Sequence, residues 1–159
     1  MEENKVYAIF KTNRGDFTVE LFPDKAPITV ENFKKLAESG FYDGTIFHRI
    51  IAQFMIQGGD PTGTGCGGSE QTIPDEFDSS LTFAEPGILA MANAGPNTGS
   101  SQFFVTVVPT PWLQNHHTIF GKVVKDYDVV EKLSNVQTDH RDKPLHDVVL
   151  DTVEITTAL

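Results

Sequence analysis

The segment Phe47-His48-Arg49-Ile50-Ile51-Ala52-Gln53-Phe54-Met55-Ile56-Gln57 sets one guanidinium and two side-chain amides inside an apolar run. Polar groups removed from water need partners, so two readings are open. Either Arg49 and Gln57 are oriented groups within an apolar ligand pocket, or a buried hairpin carries an arginine whose head snorkels to solvent. A second stretch has the same character: Met91-Ala92-Asn93-Ala94-Gly95-Pro96-Asn97-Thr98-Gly99-Ser100-Ser101-Gln102-Phe103-Phe104, followed by Trp112-Leu113 and His117. Together with Arg49, Phe54, Met55 and Gln57, these residues would form an aromatic pocket holding a few oriented donors and no obvious nucleophile. Such a site can bind and polarise a ligand but cannot attack it.

Other chemistries find less support. Gly63-Thr64-Gly65-Cys66-Gly67-Gly68 matches the G-x-G-x-x-G dinucleotide pattern. That pattern requires a helix opening at its third glycine to hold a pyrophosphate, whereas residues 69–74 show no helical period and end in Pro74. A tightly turning surface loop is the expectation. His48, His116, His117, His140 and His146 lack every familiar metal-ligand spacing, and adjacent His116 and His117 would point to opposite faces of a strand. Ser100 and Ser101 stand beside Gly99 without a G-x-S-x-G elbow, and more simply satisfy backbone groups before a strand. The single cysteine, Cys66, has no activating sequence neighbour and excludes an intramolecular disulfide. Neither a metal nor a cofactor is expected.

The elements that must position these residues are mostly strands. Alternating apolar residues over 6–12 and 17–22, separated by Asn13-Arg14-Gly15-Asp16, predict a hairpin. Val30, Phe33, Leu36 and Ala37 recur at helical spacing, with Thr29 placed to cap the N-terminus and Gly40 the C-terminus, so the spacing predicts a helix over 30–39. Short strands follow at 45–50, 54–57, 87–92, 102–107, 118–124 and 148–156, with a second helix over 126–135. Many strands and two helices favour an antiparallel sheet over a βαβ arrangement. Closure into a barrel would remove exposed edges and use the helices as plugs, with a sandwich as the alternative.

Bulk properties frame the problem further. With 159 residues, no internal repeat and no linker, residues 1–159 are expected to form a single domain. No apolar run approaches the roughly 18 to 20 residues of a membrane span. A net charge of −10 opposes nucleic-acid binding, and the densest basic pair, Lys34-Lys35, reads as a solvated helix face. Met1-Glu2-Glu3-Asn4-Lys5 lacks the layout of a signal peptide, so a reducing cytoplasm is the expected location. Size and surface charge favour a monomer.

Taken in order, Phe47-His48-Arg49, Phe54-Met55-Ile56-Gln57-Gly58-Gly59-Asp60, Met91-Ala92-Asn93, Gln102-Phe103-Phe104, Trp112-Leu113 and His117-Thr118-Ile119-Phe120-Gly121 resemble the cyclophilins, a family of peptidyl-prolyl cis/trans isomerases. The similarity spans nearly the whole chain. It implies a closed eight-stranded antiparallel β-barrel capped by two α-helices. It also implies Arg49 as the key polar residue, assisted by Gln57 and Asn93. Phe54, Met55, Phe104 and Leu113 would surround a proline ring, and Ala92, Gln102, Trp112 and His117 would complete the groove. The partners so implied are proline-containing peptides and unfolded protein segments, with cyclosporin binding associated with Trp112. The same groove could instead serve a non-catalytic proline-peptide binding module or chaperone. The compact segment 60–81 and Thr98-Gly99-Ser100-Ser101 depart from larger family members and border the groove.

Overall fold

The computed structural model describes residues 5–157; residues 1–4, which bear on the targeting expectation, lie outside the described residues. Strands β1 (Val6–Thr12) and β2 (Gly15–Leu21) form the predicted hairpin. Only Asn13 and Arg14 fall outside its ladder. Thr12 closes the turn, its Oγ1 accepting from the Arg14 N–H at 3.0 Å and donating to the Gly15 carbonyl at 2.6 Å. Gly15 and Asp16, expected in the turn, therefore begin β2.

Helix α1 (Pro27–Glu38) starts earlier than the apolar period indicated, and Thr29 is not its cap. Proline suits the first helical position because its missing N–H has no intrahelical role there. The exposed N–H groups are instead met by a distant carboxylate. Glu76 accepts from the Ile28 N–H at 3.2 Å, the Thr29 N–H at 2.7 Å and the Thr29 hydroxyl at 2.8 Å. At the other end Gly40 adopts φ +82°, as expected of it. Bonds from Gly40 N to Ala37 O and from Phe41 N to Leu36 O then close a Schellman motif.

The remaining strands are β3 (Thr45–Ile46), β4 (Arg49–Ile51), β5 (Met55–Gly58), β6 (Ile88–Met91), β7 (Phe103–Thr106), β8 (Ile119–Lys125) and β9 (Val149–Thr156), with α2 (Tyr127–Ser134) between the last two. They form one antiparallel nine-stranded sheet in the order β3-β9-β1-β2-β8-β6-β7-β5-β4. Its two ends, β3 and β4, are halves of one sequence segment, and Ile46 bridges Asp60 just beyond β5. The sheet thus curls shut, and residues 45–51 counted as one bent strand give the expected eight. The bend lies at Phe47 and His48, both buried. Phe47 packs into the barrel core, whereas His48 lies under the loop at Gly65.

Alternation along β7 divides the interior in two. Phe103 enters the barrel, with ring centroids 5.5 Å from Phe10, 5.9 Å from Phe33 and 5.5 Å from Tyr42. Phe33 comes from α1, which plugs the barrel end; α2 contributes Val130 and Leu133. Phe104 points to the other face, into a separate cluster with Met55, Phe83, Ile88, Ala90 and Ile119. That second cluster underlies the site.

Candidate active site

Strand register places the key residues in one row. Arg49 on β4 pairs with Gln57 on β5, Gln57 with Phe104 on β7, and Phe104 with Ala90 on β6. Directly opposed residues in a sheet share a face, and Met55, two positions from Gln57, joins them. Together they present a guanidinium and an amide at the rim of an apolar floor. The cavity over this row has a volume of about 120 Å³ and is lined by Arg49, Phe54, Met55, Gln57, Ala92, Asn93, Phe104, Leu113 and His117. Every one of them was picked out in the sequence.

The two other candidates stand beside the cavity. Trp112 lies on a 3-10 turn (Pro111–Leu113), 61% exposed, its ring 6.2 Å from Phe54. It is a rim residue. Gln102 sits behind Gln57 and holds it: Gln57 Nε2 donates to Gln102 Oε1 at 2.9 Å, while Gln57 Oε1 accepts from Arg49 Nη1 at 3.3 Å. Gln102 Nε2 donates to the carbonyls of Gly65 and Gly67 at 3.0 and 2.9 Å. No carboxylate pairs with Arg49 among the described residues. Its guanidinium therefore keeps donors available for a ligand.

Asp60, quoted in the motif but given no role, anchors this chain of bonds. Its carboxylate accepts from the Thr62 N–H and hydroxyl, both at 2.8 Å, and from the N–H groups of Thr64, Gly65 and Gly67 at 3.1, 2.6 and 3.1 Å. Burial would raise its pKa, but the bonds from Thr62, Gly67 and Gly65 outweigh burial and bring it to about 2. Gly67 fits only because it lacks a side chain: a Cβ there would fall 2.2 Å from Asp60 Oδ1. The glycine pattern is thus a loop folded on its own carboxylate. The N–H groups of residues 63–67 are already engaged within the loop.

On the opposite wall, Asn93 Nδ2 donates to the His116 carbonyl at 2.8 Å. The Asn93 N–H has no partner among the described residues, and Asn93 lines the cavity. His117 Nδ1 lies 2.9 Å from the Met91 carbonyl. A carbonyl only accepts, so Nδ1 carries the proton, and the 3.4 Å approach of Asn93 Nδ2 is a contact between two donors. Burial lowers the His117 pKa against the opposing effect of the Met91 bond, favouring a neutral ring. That ring stands edge-on to Phe104, with centroids 5.2 Å apart. His116 and His117 precede β8 rather than lying within it, so the strand expectation for this pair does not hold. Ser101, as expected of a structural serine, donates to the Gly59 carbonyl at 2.7 Å.

The site can therefore grip a small apolar ring and offer it a guanidinium and a backbone N–H. Known proteins resemble this chain in sequence and fold. The family described as "Cyclophilin type peptidyl-prolyl cis-trans isomerase/CLD" matches residues 7–155. Peptidyl-prolyl cis-trans isomerase-like 1 of Neurospora crassa is 52% identical over 141 residues, 87% of this chain and 86% of that protein. Peptidylprolyl isomerase domain and WD repeat-containing protein 1 of Mus musculus is 51% identical over 152 residues, 93% of this chain but 24% of that longer protein. A cyclophilin type peptidyl-prolyl cis-trans isomerase of Cryptosporidium parvum, solved in the presence of the dipeptide Ala-Pro, superposes with a TM-score of 0.93 at 39% identity, covering 96% of this chain and 99% of that one. A match across nearly all described residues, at such identity and with the same fold, places this chain in the cyclophilin-type peptidyl-prolyl cis-trans isomerase family.

Proposed function

We propose that this protein accelerates cis/trans rotation about X-Pro bonds, with Arg49 as the group that favours the twisted state. Rotation must break amide resonance over a barrier of about 18 to 20 kcal/mol. As the bond twists, the prolyl nitrogen becomes pyramidal and its lone pair localises. A donor aimed at that nitrogen stabilises the twisted state more than either planar isomer. Arginine supplies such a donor with a charge that survives any ordinary pH. Phe54, Met55, Phe104 and Leu113 hold the ring and exclude competing water, and the Asn93 N–H anchors a peptide carbonyl. A millionfold acceleration asks for about 8 kcal/mol, which donation and positioning can supply without a covalent intermediate.

The observation that carries this reading is the unpaired Arg49 guanidinium, steadied by Gln57 at the lip of an apolar cavity. Arg49 is exposed, so Arg49→Ala and Arg49→Lys should fold normally while isomerisation falls about a hundredfold, measured by NMR exchange on an X-Pro peptide. Wild-type turnover in either variant would remove Arg49 from the mechanism. Saturable peptide binding by the wild type without faster exchange would favour the binding-module reading instead. The proposal extends to unfolded segments as clients, to cyclosporin binding at the Trp112 rim, and to a cytoplasmic monomer.

A further inference from the structure

A second cavity, of about 570 Å³, shares Arg49 and Gln57 with the prolyl site and extends between residues 63–65 and residues 139–143. Three cations line it: Arg49, Arg141 and Lys143. None forms an ion pair with a carboxylate among the described residues. In a chain of net charge −10, three unpaired cations around one cavity run against the prevailing charge. The lining holds one carboxylate, Asp139, whose Oδ1 is engaged by the N–H groups of Arg141 and Lys143 at 2.8 and 3.1 Å. With Asp139 counted, the lining still carries a surplus of two positive charges.

The turn that carries Arg141 and Lys143 is held by backbone bonds. Asp139 N donates to the Lys143 carbonyl and Asp142 N to the Asp139 carbonyl, at 2.8 and 3.0 Å, and the Asp142 carbonyl accepts from Ile50 N at 2.8 Å. The turn bearing Arg141 and Lys143 is thereby fastened to the residue next to Arg49. Their field is felt at His48, also in the lining: burial chiefly, then Arg49 and Lys143, lower its pKa against the pull of Asp60.

We propose that this cavity is a subsite for an anionic side chain, a carboxylate or a phosphate ester, carried by the substrate close to its X-Pro bond. The inference rests on the isomerase reading of the neighbouring groove and adds a preference for acidic flanks to it. A peptide seated on the prolyl cavity must pass the shared wall of Arg49 and Gln57 on one side. An acidic residue there meets cations that no carboxylate among the described residues pairs with.

The test is a set of X-Pro peptides carrying, at one flanking position at a time, Glu, Gln, phosphoserine or serine, with exchange rates measured by NMR. At low ionic strength the wild type should turn over the Glu peptide about five- to tenfold more efficiently than the Gln peptide at one position, and phosphoserine should exceed serine by at least as much. The ratio should shrink near 0.15 M salt, roughly where the Debye length falls to about 8 Å. Arg141→Gln with Lys143→Gln should bring it to about one while leaving the Gln peptide at the wild-type rate. Equal rates for Glu and Gln at every position, or a preference that survives the double substitution, would overturn the proposal. Failure to turn over even the Gln peptide would instead strike the isomerase reading. In that event, amide shifts of residues 139–143 on titration with the Glu peptide, their presence or absence, still decide the subsite.

Discussion

Replacing Asp60 by asparagine keeps the shape of the side chain and removes the charge on which the loop 62–67 is folded. A carboxyl held at about 2 instead of 3.8 contributes about 2 kcal/mol to the folded state at neutral pH. Asparagine also offers only one acceptor oxygen. Whichever way its amide is turned, the NH2 group faces donors: Thr62 on one side, or Thr64, Gly65 and Gly67 on the other. Asp60→Asn should therefore lose about 2 to 4 kcal/mol in urea unfolding at pH 7, followed by circular dichroism. Because the folded pKa lies below the unfolded one, the wild-type contribution is complete above about pH 4 and is lost as pH falls toward about 2. The variant should show a correspondingly flatter stability profile across that window. Loosening the loop also frees the carbonyls of Gly65 and Gly67, and through Gln102 and Gln57 it releases Arg49. Isomerisation should then fall about tenfold, since small misplacements of an oriented group are costly. Stability within about 0.5 kcal/mol of wild type at pH 7 would refute the energetic reasoning. A destabilised variant with unchanged exchange rates would refute the relay.

Two further substitutions probe the floor and the barrel end. Phe104 is 4% exposed and packs against Phe83 and His117; Phe104→Ala should cost about 3 kcal/mol. Phe104→Leu should fold with a loss of about 1 kcal/mol yet bind X-Pro peptides more weakly, as a rise in KM; an unchanged KM would deny Phe104 its place under the proline ring. Glu76→Ala strips three donors at the start of α1 of their acceptor and should cost about 1 to 2 kcal/mol. Thermal unfolding should register that as a fall of at least about 2 °C, and no shift would show that solvent caps the helix equally well.

Most strands were legible because their apolar pattern is local, and these lie within a residue or two of their predicted bounds; the strand expected over 45–50 is instead broken at Phe47 and His48 into β3 and β4. Helix α1 was misplaced at its start for a physical reason. Its cap is Glu76, 47 residues from Thr29, and spacing within the helix cannot announce a carboxylate arriving from elsewhere. The site divides the same way. Arg49 and Gln57 were visible as polar residues in an apolar run, but the row that joins them to Phe104 depends on the register of β4, β5 and β7.

Family resemblance named the residues that share the groove, and register shows how they pair. What neither pattern nor resemblance supplied is the support behind the groove, and the bonds involved explain why. Gln102 is fixed by carbonyl oxygens at Gly65 and Gly67, and every residue type carries a carbonyl, so the identities at those positions are silent about the role. Asp60 likewise spends most of its carboxylate on backbone N–H groups. Only the crowding leaves a trace in the residue types. Position 67 must lack a Cβ because Asp60 Oδ1 occupies the space, so this glycine, at a place the nucleotide pattern leaves free, is the imprint of a carboxylate folded against its own loop. The groups that aim Arg49 are written in a residue's missing side chain as much as in those present.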